Sequence, residues 1–213
     1  MAVPTAAIAK RLKQGDREIA DQISNVSVLF SDLDQFTKLT KSMSPQEVVG
    51  LLNELVTAFD EMTDKYGLEK IKTIGDGYMA VCGLNVLRLD HDKRTVDFAL
   101  EMLSFVRRFN YEKGLHLDLR LGINSGDVVA GVIGKNKLLY DVWGDTVNIA
   151  NRLKSACPPG VILVSQNVCD RLHDIYDFKL FGEIQEPGKE KLVAWQLKNS
   201  KQTVSVREEE VYE

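Results

Sequence analysis

Two aspartates stand where short turns follow β-type runs: Asp32 in "LFSDLDQFT" and Asp76 in "TIGDGY". Carboxylates held at the tips of neighbouring strands bind hard divalent cations. Mg²⁺ takes oxygens from one or two of them and fills its other octahedral positions with phosphate oxygens and water. Either residue taken singly would serve equally well as a turn cap. Together they suggest a metal site, with Asp34 a weaker third candidate. Asn148 and Arg152 in "GDTVNIANRLKSA" are four apart, so on a helix they project from one face near its N-terminal half. A guanidinium beside an amide near a helix start suits phosphate and ribose, because the helix end adds partial positive charge and Arg offers a fork of donors. A solvated surface pair is the plain alternative. Arg120 poses the same choice, between gripping a phosphate and pairing across the sheet.

The elements that must position these residues are legible in part. "VSVLFSDL", Val26 to Leu33, is β-branched and aromatic enough for a buried strand ending at a carboxylate. "SPQEVVGLLNELVTAFDEMTDKYG" opens with Ser44 as N-cap, Pro45 at the first helical position and Glu47 completing a capping box, and it stops at Gly67. Its apolar residues recur at helical spacing, which buries one face. "GLEKIKTIGDGYMAVCG" reads as a hairpin with Lys70, Lys72 and Asp76 placed where folding does not require charge. "RTVDFALEMLSFVRRF" is a second amphipathic helix. "LHLDLRLGI" alternates strictly, with Leu117, Leu119, Leu121 and Ile123 on one side and Asp118 and Arg120 on the other, as in a half-exposed strand. "LLYDVWGDTVNIANRLKSA" gives strand, turn and helix, and "GVILVS" another strand.

Without a regular βαβα rhythm, and with tight hairpins, the expected class is α+β: a largely antiparallel sheet with flanking helices. Residues 1–25 are expected to be a weakly amphipathic helical lead-in, 26–199 one domain, and 200–213 a charged, disordered tail. A chain of 213 residues with 44% hydrophobic and 27% charged residues and a net charge of −4 is an ordinary globular composition, which implies no nucleic-acid or anionic-lipid partner. Three widely spaced cysteines form no CxxC pair, and no apolar run would span a bilayer. The expectation is a cytoplasmic domain, joined to a membrane only through parts absent from this chain.

"VSVLFSDLDQFT", "LEKIKTIGDGYMAV", "LRLGINSGDVVAGVIG" and "LYDVWGDTVNIANRL" resemble the four signature blocks of class III nucleotidyl cyclases, in that family's order, over most of Val26 to Leu197. The likeness is greatest to adenylyl cyclase catalytic domains of the bacterial membrane-linked kind. It implies a ferredoxin-like or palm-like fold and two Mg²⁺ (or Mn²⁺) ions held by Asp32, Asp76 and the carbonyl of Leu33. It further implies that Lys72 and Asp141 read the purine, where guanylyl cyclases carry Glu and typically Cys. Asn148 would orient the ribose, Arg152 would stabilise the transition state, and Arg120 would contact phosphate. The Lys72 and Asp141 choices also have a logic of their own: adenine offers ring-nitrogen acceptors and an N6 donor, which a Lys donor and an Asp acceptor match.

The implied reaction is attack of the ribose 3′-hydroxyl on the α-phosphate of ATP, giving 3′,5′-cyclic AMP and pyrophosphate. In that family the metals and phosphate contacts come from one chain of a head-to-tail dimer and the purine readers and the Asn/Arg pair from the other, so that Lys72 and Asp76 of one hairpin would serve different sites. One chain here carries both sets, which implies a homodimer with two equivalent sites. His91, His116 and His173 lie outside every block and are expected to be surface or packing residues. Two departures stand out. The family's "KGKG"-like run is "EPGKEK" here, with Pro187 at the usual triphosphate lysine. Either Lys189 or Lys191 substitutes from a shifted loop, or ATP binds more weakly. Gln35 replaces the usual glycine before Phe36-Thr37. The rivals are a guanylyl or mixed-specificity cyclase and a non-catalytic nucleotide-binding regulatory domain. A diguanylate cyclase would need a "GGDEF"-type hairpin, which is missing.

Overall fold

The computed structural model describes residues 19–134 and 138–200. Strand β1 (Ile19–Asp34) begins inside the stretch expected to be helical. Ile19 to Ile23 pair with Val132 to Val128 of β4 (Asp118–Ile133), and Ile19 is buried. The apolar pair Ile19 and Ile23 fits a helix or a strand equally well, and a waiting partner strand settles the matter, as tertiary context commonly does for short segments. The register slips between Ile23 and Val26, where Asn25 takes a φ of 59°, a left-handed conformation that Asn tolerates better than most residues. The rest of the expected lead-in, 1–18, and the tail from 201 lie outside the described residues. Ser200, assigned above to the tail, closes β8 (Leu192–Ser200) and pairs with Tyr176.

After β1 come a single turn of helix, α1 (Phe36–Leu39), and a 3₁₀ turn, Thr40–Ser42. The long helix α2 (Pro45–Tyr66) follows, then the hairpin β2 (Leu68–Ile74) and β3 (Gly77–Cys82). Helix α3 (His91–Lys113) leads to β4 and β5 (Leu139–Trp143). Helix α4 (Asp145–Ala156), β6 (Val161–Ser165), α5 (Gln166–Leu172), β7 (Tyr176–Ile184) and β8 complete the described chain. The sheet order is β2-β3-β1-β4-β6-β8-β7, with β5 on the distal half of β4. Every pairing is antiparallel except β4 with β6, so the α+β expectation stands.

Helix α2 carries the caps that its sequence announces. Ser44 Oγ accepts from the Glu47 N–H at 3.3 Å, Glu47 Oε2 accepts from the Ser44 N–H at 2.7 Å, and Gly67 ends the helix at φ 69°. Strand alternation then divides the core. Leu29 and Leu33 of β1, with Leu119, Leu121 and Ile123 of β4, face α2, α3 and α5, while Val28, Phe30, Val128 and Ala130 face the opposite side. That opposite side is not left open near Arg120, as a half-exposed strand would be, because α4 lies across it. A Cβ at Gly122 would fall 2.2 Å from the Lys154 nitrogen and 2.4 Å from the Ala150 carbonyl oxygen. Only a glycine lets the helix approach this near.

Gly122→Ala therefore forces α4 off the sheet and is expected to destabilise the protein by about 3 kcal/mol or more. Gly50→Ala, in the exposed interior of α2 with no atom within 4 Å of the new methyl, should stabilise it by roughly 0.5 kcal/mol. Urea denaturation of the two variants checks the opposite signs.

Candidate active site

The two metal-site candidates meet through strand register. The β1–β3 ladder ends at Ser31 opposite Tyr78, and the β2–β3 ladder ends at Ile74 opposite Gly77, so Asp76 at the hairpin tip lies beside Asp32. The tip is seated closely. A Cβ at Gly77 would stand 2.9 Å from the Ser31 carbonyl oxygen and 3.5 Å from Asp32 Oδ1, and Gly75 makes the turn at φ 62°. Burial raises the pKa of Asp76 above its ordinary 3.8, and the Asp32 charge adds to the rise, while its own backbone N–H and Lys154 oppose it. Two carboxylates that repel one another fit a cation between them. The side chain of Leu33 is buried in the core, and beyond Ser31 the backbone of residues 32–34 has no β3 partner. Among the described residues no group of three or more His, Cys, Asp or Glu forms a metal cluster, so a cation held by these two carboxylates would take its remaining ligands from backbone, substrate and solvent oxygens.

Lys72 and Asp141, 69 residues apart, form an ion pair between Nζ and Oδ2, and Asp141 Oδ1 accepts from the Val142 N–H at 2.8 Å. Their side chains are 37% and 16% exposed, accessible enough to meet a ligand yet shielded enough to be directional. Asp32, Gly77, Lys72, Trp143, Asn148 and Lys154 line one cleft of 520 Å³. Arg152 turns elsewhere. It lines a second cleft of 650 Å³ with Asn148, Lys189 and Lys191, and its side chain is only 11% exposed. Its Nε donates to Glu186 Oε1 at 2.8 Å and its Nη2 to the Glu190 carbonyl at 2.8 Å. A single chain therefore brings Asp32, Lys72 and Asn148 together but not Arg152 with them.

Arg120, opposite Asp32 in the ladder, pairs with Asp34. Asp34 also accepts from Gln35 Nε2 at 2.6 Å, and that bond, ahead of Arg120, holds its carboxyl below the usual range. Gln35 has a φ of 67°, so the backbone keeps the conformation a glycine would take freely, at a cost of about 1 kcal/mol. Buried Ser31 Oγ and Arg120 Nε have no hydrogen-bond partner among the described groups.

The lysine left without a task, Lys70, pairs with Asp60 at 2.7 Å beneath Tyr78 and is structural. His91 is buried against Ser27 and Asp92, a packing residue, while His116 and His173 are exposed. Two residues were missed. Lys154 lines the cleft of Asp32 and acts on Asp76 from two positions beyond Arg152, while Glu186 engages Arg152 across 34 residues. The helical register of Asn151 and Lys154 could have flagged the first. Nothing local flags the second.

A sequence profile of the adenylate and guanylate cyclase catalytic domain matches residues 19–199. An adenylate cyclase of Mycobacterium bovis is 42% identical over 90% of this chain, and a membrane guanylyl cyclase of Dictyostelium discoideum is 39% identical over 86%. The match spans 44% of the first relative's length and 12% of the second's. Among solved structures, the guanylate cyclase domain of RhGC from Catenaria anguillulae, in complex with GTP, superposes with a TM-score of 0.81 at 30% identity, covering 85% of this chain and all of that one. The fold and these matches thus define a nucleotidyl cyclase catalytic domain, and the chain belongs to the class III adenylate and guanylate cyclase family.

Ionised Asp76 is a liability in the folded protein without metal. Its folded pKa lies above its unfolded one, so the penalty is absent below 3.8, grows as pH rises through the shifted pKa, and is constant above it. In EDTA, Asp76→Asn should melt above the parent at pH 7, with the gap narrowing as pH falls toward 3.8. An equal gap at both pH values would show that the Asp76 charge is not its source.

Proposed function

We propose that this domain is an adenylyl cyclase, converting ATP to 3′,5′-cyclic AMP and pyrophosphate in a head-to-tail homodimer. The observation that carries the reading is the Lys72–Asp141 pair. It offers one cationic donor and one anionic acceptor side by side, the complement of an adenine edge with its ring-nitrogen acceptor and N6 donor. Guanine presents O6 and N1–H in the corresponding places, reversing that demand.

In this reading Asp32 and Asp76, with the Leu33 carbonyl, hold Mg²⁺ or Mn²⁺. Two such ions would lower the pKa of the ribose 3′-hydroxyl and stabilise the oxygens of an in-line displacement. Asn148 orients the ribose. Arg152 opposes charge developing on the α-phosphoryl group, Arg120 contacts phosphate, and Lys189 contacts the departing pyrophosphate. The 3′-oxygen bonds to the α-phosphorus as the bond to the bridging oxygen breaks, and the hydroxyl proton leaves to solvent. The buried His91 and the exposed His116 and His173 take no part.

The separation of Arg152 from the Asp32 cleft supports the dimer. A head-to-tail pair would place one chain's Arg152 cleft against the partner's carboxylates, which a single chain does not do. Exposed apolar side chains of the β4–β5 region, Val129, Ile133, Leu138 and Leu139, offer surface for such a pairing. Among the described residues no helix is long and apolar enough to cross a membrane, and the three cysteines are buried and unbridged.

Product formation from Mg-ATP and Mg-GTP tests the specificity. ATP should be strongly preferred, and Lys72→Glu combined with Asp141→Cys should move preference toward GTP. A double variant that keeps its ATP selectivity would sink the assignment. Arg152→Ala should lower kcat roughly a hundred-fold. Mixing it with Asp76→Ala should restore activity that neither variant has alone, whereas a mixture of folded, dimeric chains that stays inactive rules out shared sites.

A further inference from the structure

The turn from Glu186 to Lys189 stands where the family's usual triphosphate lysine would be. Pro187 occupies its second position and Gly188, at φ 74°, its third, and the Lys189 N–H returns to the Glu186 carbonyl at 3.2 Å. That is the pattern of a type II turn, which Pro followed by Gly favours. Its effect is to fold Glu186 back beside Lys189. One carboxylate then meets two cations: Oε1 accepts from Arg152 Nε at 2.8 Å and Oε2 lies 2.5 Å from Lys189 Nζ. Lys189 and then Arg152 draw the Glu186 carboxyl below its ordinary pKa, so the anion persists at neutral pH. The neighbouring Lys191 is taken separately by Glu183 at 2.8 Å.

We infer that Glu186 is a resident counter-anion, seated between Arg152 and Lys189 where the polyphosphate of the nucleotide binds, and that substrate must displace it. The inference rests on the cyclase reading for its substrate, but its physical content is competition between two anions for one cationic seat. A carboxylate brings one charge and two oxygens. A pyrophosphate group brings more of both and wins once its concentration is sufficient. Until then the seat is open for only part of the time, and the apparent dissociation constant is the intrinsic one divided by that open fraction. Glu186 therefore raises KM, holds Arg152 and Lys189 in place while the site is empty, and favours release of pyrophosphate after the reaction.

The test uses the full chain and inorganic pyrophosphate with excess Mg²⁺, followed by titration calorimetry. Glu186→Gln should tighten pyrophosphate binding about five-fold, the scale of two partly exposed ion pairs. Glu186→Ala should do the same. Adding Lys189→Met should abolish the gain. Glu183→Gln removes the same charge from the same hairpin but touches only Lys191, and should leave the affinity within about two-fold. In turnover, Glu186→Gln should lower KM for Mg-ATP without lowering kcat. The inference is overturned if pyrophosphate affinity is unchanged or weaker in both Glu186 variants, if Glu183→Gln tightens it equally, or if neither parent nor variant binds. It is also overturned if kcat collapses at constant KM, which would make Glu186 a positioning residue for Arg152. Tighter pyrophosphate binding without cyclic nucleotide formation from the parent would sink the cyclase reading and leave this one standing.

Discussion

The contact on which the rest depends is the approach of α4 to β4 at Gly122, where backbone lies against backbone with no room for a methyl group. Helix α4 carries Asn148, Asn151 and Lys154, which line the first cleft, and Arg152, which lines the second with Asn148. Its height above the sheet therefore decides where an amide, a guanidinium and an ammonium stand relative to Asp32. Thr146 reinforces the docking at the helix start by donating to the Asp127 carbonyl at 2.6 Å, close against Gly126. A dense interior transmits any shift at such a point directly to the groups above it.

A second theme is that four cations of the site are met by acids of the same chain: Lys72 by Asp141, Arg120 by Asp34, Arg152 and Lys189 by Glu186. Half-buried charges need such partners, because an uncompensated one is costly to hold in a shielded cleft. The pairings differ in what a nucleotide would do to them. Under the proposed reading Lys72 and Asp141 together complement an adenine edge, so the pair could stay formed while it reads the base. Glu186 offers only negative charge, so it would compete with phosphate.

The relatives sharpen the question of specificity. An adenylate cyclase and a guanylyl cyclase resemble this chain at 42% and 39% identity, and the fold is shared by a domain solved with GTP. Overall similarity therefore says little about which purine is bound. Under the proposed reading the discrimination would rest on donor and acceptor placement at two side chains, Lys72 and Asp141, where a mismatched base would leave shielded polar groups unpaired.

Local signals were enough for much of this protein. The caps of α2, the β2–β3 hairpin with its glycine tip, the alternation of β4 and the four-residue spacing of Asn148 and Arg152 all follow from short-range chemistry that neighbouring residues express. Ile19 to Asn25 did not read as strand, because its partner lies more than a hundred residues away in β4 and pairing energy outweighs a weak helical pattern. Charged pairs behaved likewise. Which acid meets Lys72, Arg120 or Arg152 is set by sheet order and helix docking, over separations of 69, 86 and 34 residues that no local pattern spans. The sequence by itself determined the residue types, the elements and the family resemblance. Only the tertiary structure decided that the hairpin tip sets Asp76 beside Asp32, that Arg152 faces a different cleft, and that Glu186 sits on it, because those facts are made by contacts between distant segments.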